Sequence, residues 1–208
     1  MASESSKAPR ERLLSAANRL FYQEGIHTVG IDRVIEAAGV AKASLYSSFG
    51  SKSELVQAYL SQRKEAQQKR ITAAIARSES PRERILAVFD SLAEATAQPG
   101  FRGCAFMRAS AEGELEAGTK AVCEETRAWL RNTFVELAKA AGMADAKRMG
   151  QQLALLYDGA VVSAHMDRNL SAAAAARDVA EMILESASLR SRVAARVTAR
   201  AQKRPRTK

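Results

Sequence analysis

The chain has 208 residues, enough for one large domain or two smaller ones sharing a core. Hydrophobic residues make up 47% and charged residues 26%, the balance of a soluble globular protein, and sparse Gly and Pro favour helix. The net charge of +9 is gathered at one end: residues 190–208 hold eight Lys or Arg and no acid, leaving 24 basic against 23 acidic residues before them.

No apolar run approaches the roughly 18 residues that span a bilayer, so no membrane association is expected. The N-terminus has no apolar h-region of a signal peptide. Two cysteines, Cys104 and Cys123, are too few for a disulfide scaffold. A cytoplasmic location is expected.

In chain order, residues 1–8 are polar and expected to be disordered. Pro9 suits a first helical turn, Leu13, Ala17, Leu20 and Phe21 recur at helical spacing, and Gly25 ends the helix. A short segment over 29–38 carries Ile31, Val34, Ile35 and Ala38 until Gly39 breaks it. A second short segment follows in "GVAKASLYSSFGSKSEL". Ser51 and Glu54 have capping-box spacing and open a helix over about 52–77. Ser80, Pro81 and Glu83 repeat the device for a helix from 81. After the loop "QPGFRGC", helices are expected over about 103–115 and 119–141, with a break at Gly118. Asp145 is placed to cap a helix reaching about 168, and Ser171 to cap one over about 172–189. The basic tail can extend that last helix through Val193 and Val197 before fraying ahead of Pro205. The sum is an all-α chain of about nine helices.

The two short helices are separated by a tight turn, the arrangement of a helix-turn-helix, whose second helix enters the DNA major groove. Val34, Ala38, Val40, Leu45 and Phe49 can form its small core, with Gly39 at the sharp turn. Lys42, Ala43, Ser44 and Tyr46 would then meet DNA: Lys a phosphate or guanine, Ala a thymine methyl, Ser a base edge or phosphate, Tyr a phosphate. Lys52 and Thr28, each before a helix, are further phosphate candidates. The alternative is an ordinary helical corner with Tyr46 and Phe49 as core.

Residues 10–60 resemble the DNA-binding domain of TetR-type transcriptional regulators through A-G-V-x-K-x-[ST]-L-Y-x-x-F-x-S-K-x-x-L, Ala38 to Leu55. The resemblance implies a homodimer with an N-terminal helix-turn-helix domain over 9–51 and a helical ligand-binding and dimerisation domain over 52–189; the basic tail over 190–208, read from its charge, is atypical of the family. It implies a pseudo-palindromic DNA operator as partner, and most members of the family are repressors released by a small molecule. Two positions depart from the family pattern. Ala41 stands where a capping Ser is usual, and Ser48 stands where His often contacts phosphate; Ser48 can still donate a hydrogen bond.

The resemblance places the dimer interface on the last two helices. Small residues there, Gly159, Ala160 and Ser163, permit close approach, and Val179, Met182 and Ile183 form a stripe on the last helix; packing within one chain is the alternative. Candidates for an adaptable lipophilic pocket are Phe89, Leu92, Phe106, Met107, Trp129, Phe134 and Tyr157, with Asp158 and His165 as polar partners. No cofactor or metal site is expected. The two histidines, His27 and His165, make no metal-ligand pair, and no Gly-rich phosphate loop or catalytic triad is present. The rivals to a regulator are thus an enzyme, which the sequence does not support, and a non-specific DNA binder acting through the tail.

Overall fold

Pro9, with its fixed φ and missing amide donor, begins the first helix where no intrahelical donor is needed. The computed structural model describes residues 8–202, and side chains for 8–187. The expected disorder over 1–8 lies outside this range except for Ala8, as does the expected fraying ahead of Pro205.

Nine helices and no strand occur among the described residues: α1 Pro9–Glu24, α2 Ile31–Ala38, α3 Lys42–Phe49, α4 Lys52–Ala76, α5 Pro81–Thr96, α6 Ala105–Ala111, α7 Ala117–Ala140, α8 Ala146–Met166 and α9 Ala172–Gln202. The all-α expectation is met. At α5 the expected capping box is complete: Ser80 Oγ accepts from the Glu83 amide, and Glu83 returns an acceptor to the Ser80 amide. Asp145 caps α8 by accepting from the Arg148 amide at 3.0 Å. At α4 the Glu54 amide donates to Ser51 Oγ at 3.1 Å.

Three local expectations change. Gly118 does not break the chain but lies in the first turn of α7. A Cβ there would meet only the end of the flexible Gln57 side chain of α4, which can move aside. The helix expected over 103–115 is shorter, because Glu112 leaves it and Gly113 follows at φ +150°. Ser171 Oγ donates to Asn169 Oδ1 at 2.7 Å, within a local Asx-type turn before α9.

The chain divides into two compact bodies, one of residues up to Arg70 with Gln98–Trp129, the other of Ile71–Ala97 with Leu130 onward. The first is larger than the 9–51 domain expected from the sequence. Its core joins Leu13, Leu20, Phe21, Val34, Leu45 and Phe49 to Leu55, Tyr59 and Leu60 of α4, and to Ala105, Ala109 and Val122 of α6 and α7. Phe21 and Tyr59 meet edge to face at 5.7 Å between centroids. Tyr22 ties α1 to the α6 segment: its hydroxyl donates to the Gly103 carbonyl and accepts from the Arg102 amide, both at 2.9 Å. Arg108 donates to the Tyr22 carbonyl.

The second body packs α5, α8 and α9 around buried Ile85, Phe89, Leu153 and Leu184. Phe89, Phe134 and Tyr157 form a ring cluster with centroids 5.6 to 6.2 Å apart. Gly150 lets α8 press on α7: a Cβ there would stand 2.8 Å from the Val135 backbone nitrogen, too close for any side chain.

Candidate nucleic-acid interface

Gly39 adopts φ +61° and ψ +43°, the left-handed conformation that closes α2 and turns the chain. Its carbonyl accepts from the Arg12 guanidinium at 2.6 Å, which ties the turn to α1. Val34 and Ala38 of α2, and Leu45 and Phe49 of α3, are buried together. Arg10 lies over the Phe49 ring at 4.8 Å from its centroid. These contacts explain how an eight-residue helix is held, since α3 is too short to be stable alone.

The inward set defines the outward set. Tyr46 is 50% exposed, so it does not join Phe49 in the core, and the corner reading fails at this residue. Lys42, Ala43, Tyr46 and Ser47 are exposed, while Ser44 and Ser48 are half-buried. Thr28 is exposed in the turn before α2. The structure therefore brings six of the seven expected DNA contacts to α3 or the turn before α2, with Ser44 and Ser48 less accessible than a free contact. Lys52, the seventh, is half-buried at the start of α4. Burial lowers its pKa, partly opposed by the nearby Glu112 carboxylate.

Sequence reasoning passed over three residues that the fold sets on or beside this face. Ser47 is exposed on α3, its hydroxyl donating to the Ser44 carbonyl at 3.2 Å. Glu112 accepts from the His27 amide at 2.8 Å and lies against Gly25, bracing the loop that carries Thr28. Asp32 pairs with Lys42, Nζ to Oδ1 2.9 Å, and its hydrogen bond and charge raise the Lys42 pKa. No spacing template signals any of these, because each depends on elements brought together by the fold.

The missing cap is real: Ala41 is extended at φ −71° and ψ +149° with no side-chain bond to the helix. The Ser44 amide turns back to the Ala41 carbonyl at 2.9 Å, so one exposed donor is already satisfied. Ala41→Ser is therefore expected to stabilise the head by about 0.5 kcal/mol, the low end for a cap. Denaturant midpoints and slower amide exchange over 42–49 measure it; an unchanged midpoint contradicts it.

The pocket candidates fall in different places. Phe89, Leu92, Phe134 and Tyr157 are buried in the second body; Asp158 is half-buried and His165 exposed on α8. Phe106 packs against the first body's core, Met107 is exposed on the same helix, and Trp129 ends that body's share of α7. Neither cysteine is in a disulfide, and burial raises the pKa of the Cys123 thiol. Among the interface candidates, Ala160 is buried and Ser163 donates to Asp167 Oδ2 at 2.6 Å, while Gly159, Val179 and Met182 are exposed and Ile183 is half-buried. The exposed line on α8 instead runs Leu155, Gly159, Val162, Met166. No described helix is long and apolar enough to cross a membrane.

Residues 13–59 match the family model described as bacterial regulatory proteins, tetR family. The chain is 36% identical to a TetR-family transcriptional regulator from Streptomyces coelicolor of known crystal structure, with a TM-score of 0.81 over 86% of this chain and 96% of that one. A putative TetR-type regulator from Streptomyces avermitilis is 32% identical, with a TM-score of 0.70 over 84% of this chain and 99% of that one. Among curated relatives, the transcriptional regulator TtgR of Pseudomonas putida is 37% identical over 57 residues, and the transcriptional activator FasR of Mycolicibacterium smegmatis 45% over 51. The chain spans about a quarter of these two curated relatives, 27% and 23% of their lengths. With the head matched to the family and 86% of the chain matched to a TetR-family regulator of known structure, this protein belongs to the TetR family of DNA-binding transcriptional regulators.

Proposed function

We propose that the chain acts in the cytoplasm as a dimeric repressor that binds a pseudo-palindromic operator and is released by a small lipophilic effector. The observation that carries this reading is the exposed face of α3, Lys42, Ala43, Tyr46 and Ser47, standing over buried Leu45 and Phe49.

Dimerisation is supported by apolar surface left open along two packed helices. Leu155 is 73% and Met166 75% exposed on α8, with Val162 between them; Met182 is 67% exposed on α9, beside Val179. Such stripes are costly in water, and a two-fold partner presenting the same stripes covers them. Two heads then read half-sites about 34–36 Å apart or a multiple of that. A lipophilic effector is what the family resemblance implies; the second body offers aromatic residues of the kind that line apolar sites, Phe89, Phe134 and Tyr157, packed together as core.

Genome-wide footprinting of the purified protein, followed by competition with a scrambled duplex, tests the reading. The footprint is expected to be palindromic, with at least about a thousandfold preference over the scrambled sequence. Equal competition by scrambled DNA would favour the non-specific binder acting through the tail.

A further inference from the structure

One acidic side chain stands among the DNA-facing residues. Asp32 lies in the first turn of α2, and Lys42 is the first residue of α3. The Lys42 ammonium donates to Asp32 Oδ1 at 2.9 Å, and the two side chains are 59% and 79% exposed. A pair this open to water is weak and exchanges partners readily. Neither residue belongs to the buried core of the head.

An acid on a surface that meets a polyanion weakens binding to every sequence alike, unless it makes a contact that some sequences offer and others do not. The major groove offers such a contact. A G·C pair shows guanine O6, an acceptor, beside cytosine N4, a donor, joined by a base-pair hydrogen bond of about 2.7–3.2 Å. Lys42 Nζ and Asp32 Oδ1 have the complementary polarity at the same spacing. They need not part to make the contact: the ammonium keeps two further donors, and the carboxylate has a second oxygen.

We propose that Asp32 is a specificity-determining residue, forming with Lys42 one reading unit for a G·C pair. Lys42 donates to guanine O6 and Asp32 accepts from cytosine N4. On sequences without that pair, Asp32 competes with the phosphates for Lys42. This rests on α3 being the reading helix.

The test uses full-length Asp32→Asn, Asp32→Glu, Lys42→Met and the Asp32→Asn/Lys42→Met double variant. Each is titrated with the footprinted operator, single-base-pair variants of it and a scrambled duplex, across a salt series. Asp32→Asn is expected to bind scrambled DNA more tightly, its salt dependence steeper by about one unit per head as Lys42 reaches a phosphate. Its preference for G·C at one position per half-site is expected to relax at least about fivefold. Asp32→Glu, which keeps the charge and the acceptor, retains that preference, and without Lys42 the gain on scrambled DNA disappears. An unchanged base preference in Asp32→Asn, or a gain equally large in the double variant, overturns the proposal, the latter showing Asp32 to be a plain repulsive charge. If Tyr46→Ala and Lys42→Met both leave operator affinity intact, the reading helix itself is misassigned and both readings fall. Thermal unfolding followed by circular dichroism confirms that each variant keeps a folded head.

Discussion

Tyr46→Ala is expected to weaken operator binding a hundredfold or more while leaving the protein folded. Half of the side chain is exposed, and the α3 core beneath it consists of Leu45 and Phe49. Removing Tyr46 therefore opens no cavity. It deletes the hydroxyl proposed to donate to phosphate, and a hydrogen bond to a charged group contributes about 1.5–3 kcal/mol. In the proposed dimer the loss is made twice, which gives the hundredfold figure and allows more. Leu45→Ala is the contrast. It is fully buried, so its truncation costs about 2–5 kcal/mol of stability and loses binding through unfolding. Circular dichroism and operator titration, run together, separate the two. Wild-type affinity in folded Tyr46→Ala would remove this residue from the reading surface.

Charging the open stripe gives the second large effect. Leu155→Glu combined with Met182→Glu is expected to yield a monomer by analytical ultracentrifugation, with both bodies still helical. Each side chain is about two-thirds exposed or more, so a carboxylate there stays in water in the isolated chain. In a two-fold dimer every substitution is repeated on the partner, and buried unpaired charges carry a penalty that a marginal interface does not offset. A single head holds one half-site, so operator affinity is expected to fall toward the non-specific range, about a thousandfold or more. A double variant that remains dimeric and binds normally would show that the partner docks elsewhere. Ala160 makes a useful control: it is buried in its own chain, so a charge there harms folding before it harms assembly.

The helices themselves were legible from local chemistry. The Ser80–Pro81–Glu83 box, the Asp145 cap and Gly39 at the turn are short-range devices, and each formed as the spacing implied. The α3 motif was legible for the same reason: eight residues must display an inner and an outer face, and Leu45 and Phe49 against Lys42 and Tyr46 supply both. Gly118 shows the limit. Sequence reads it as a break, yet it lies in the first turn of α7.

By itself, then, the sequence determined the all-helical class, the helix-turn-helix and most of its outward residues, since periodicity and capping act within a few residues. Tertiary structure decided what depends on distant segments meeting. It drew residues 98–129 into the body of the head through Tyr22, Arg108 and Glu112. It set Asp32 against Lys42, and it turned Ala160 inward while leaving Leu155, Val162 and Met166 open. Small residues and apolar residues share a helix at similar spacing, and which of them face out is settled by the neighbouring helix against which the remainder pack.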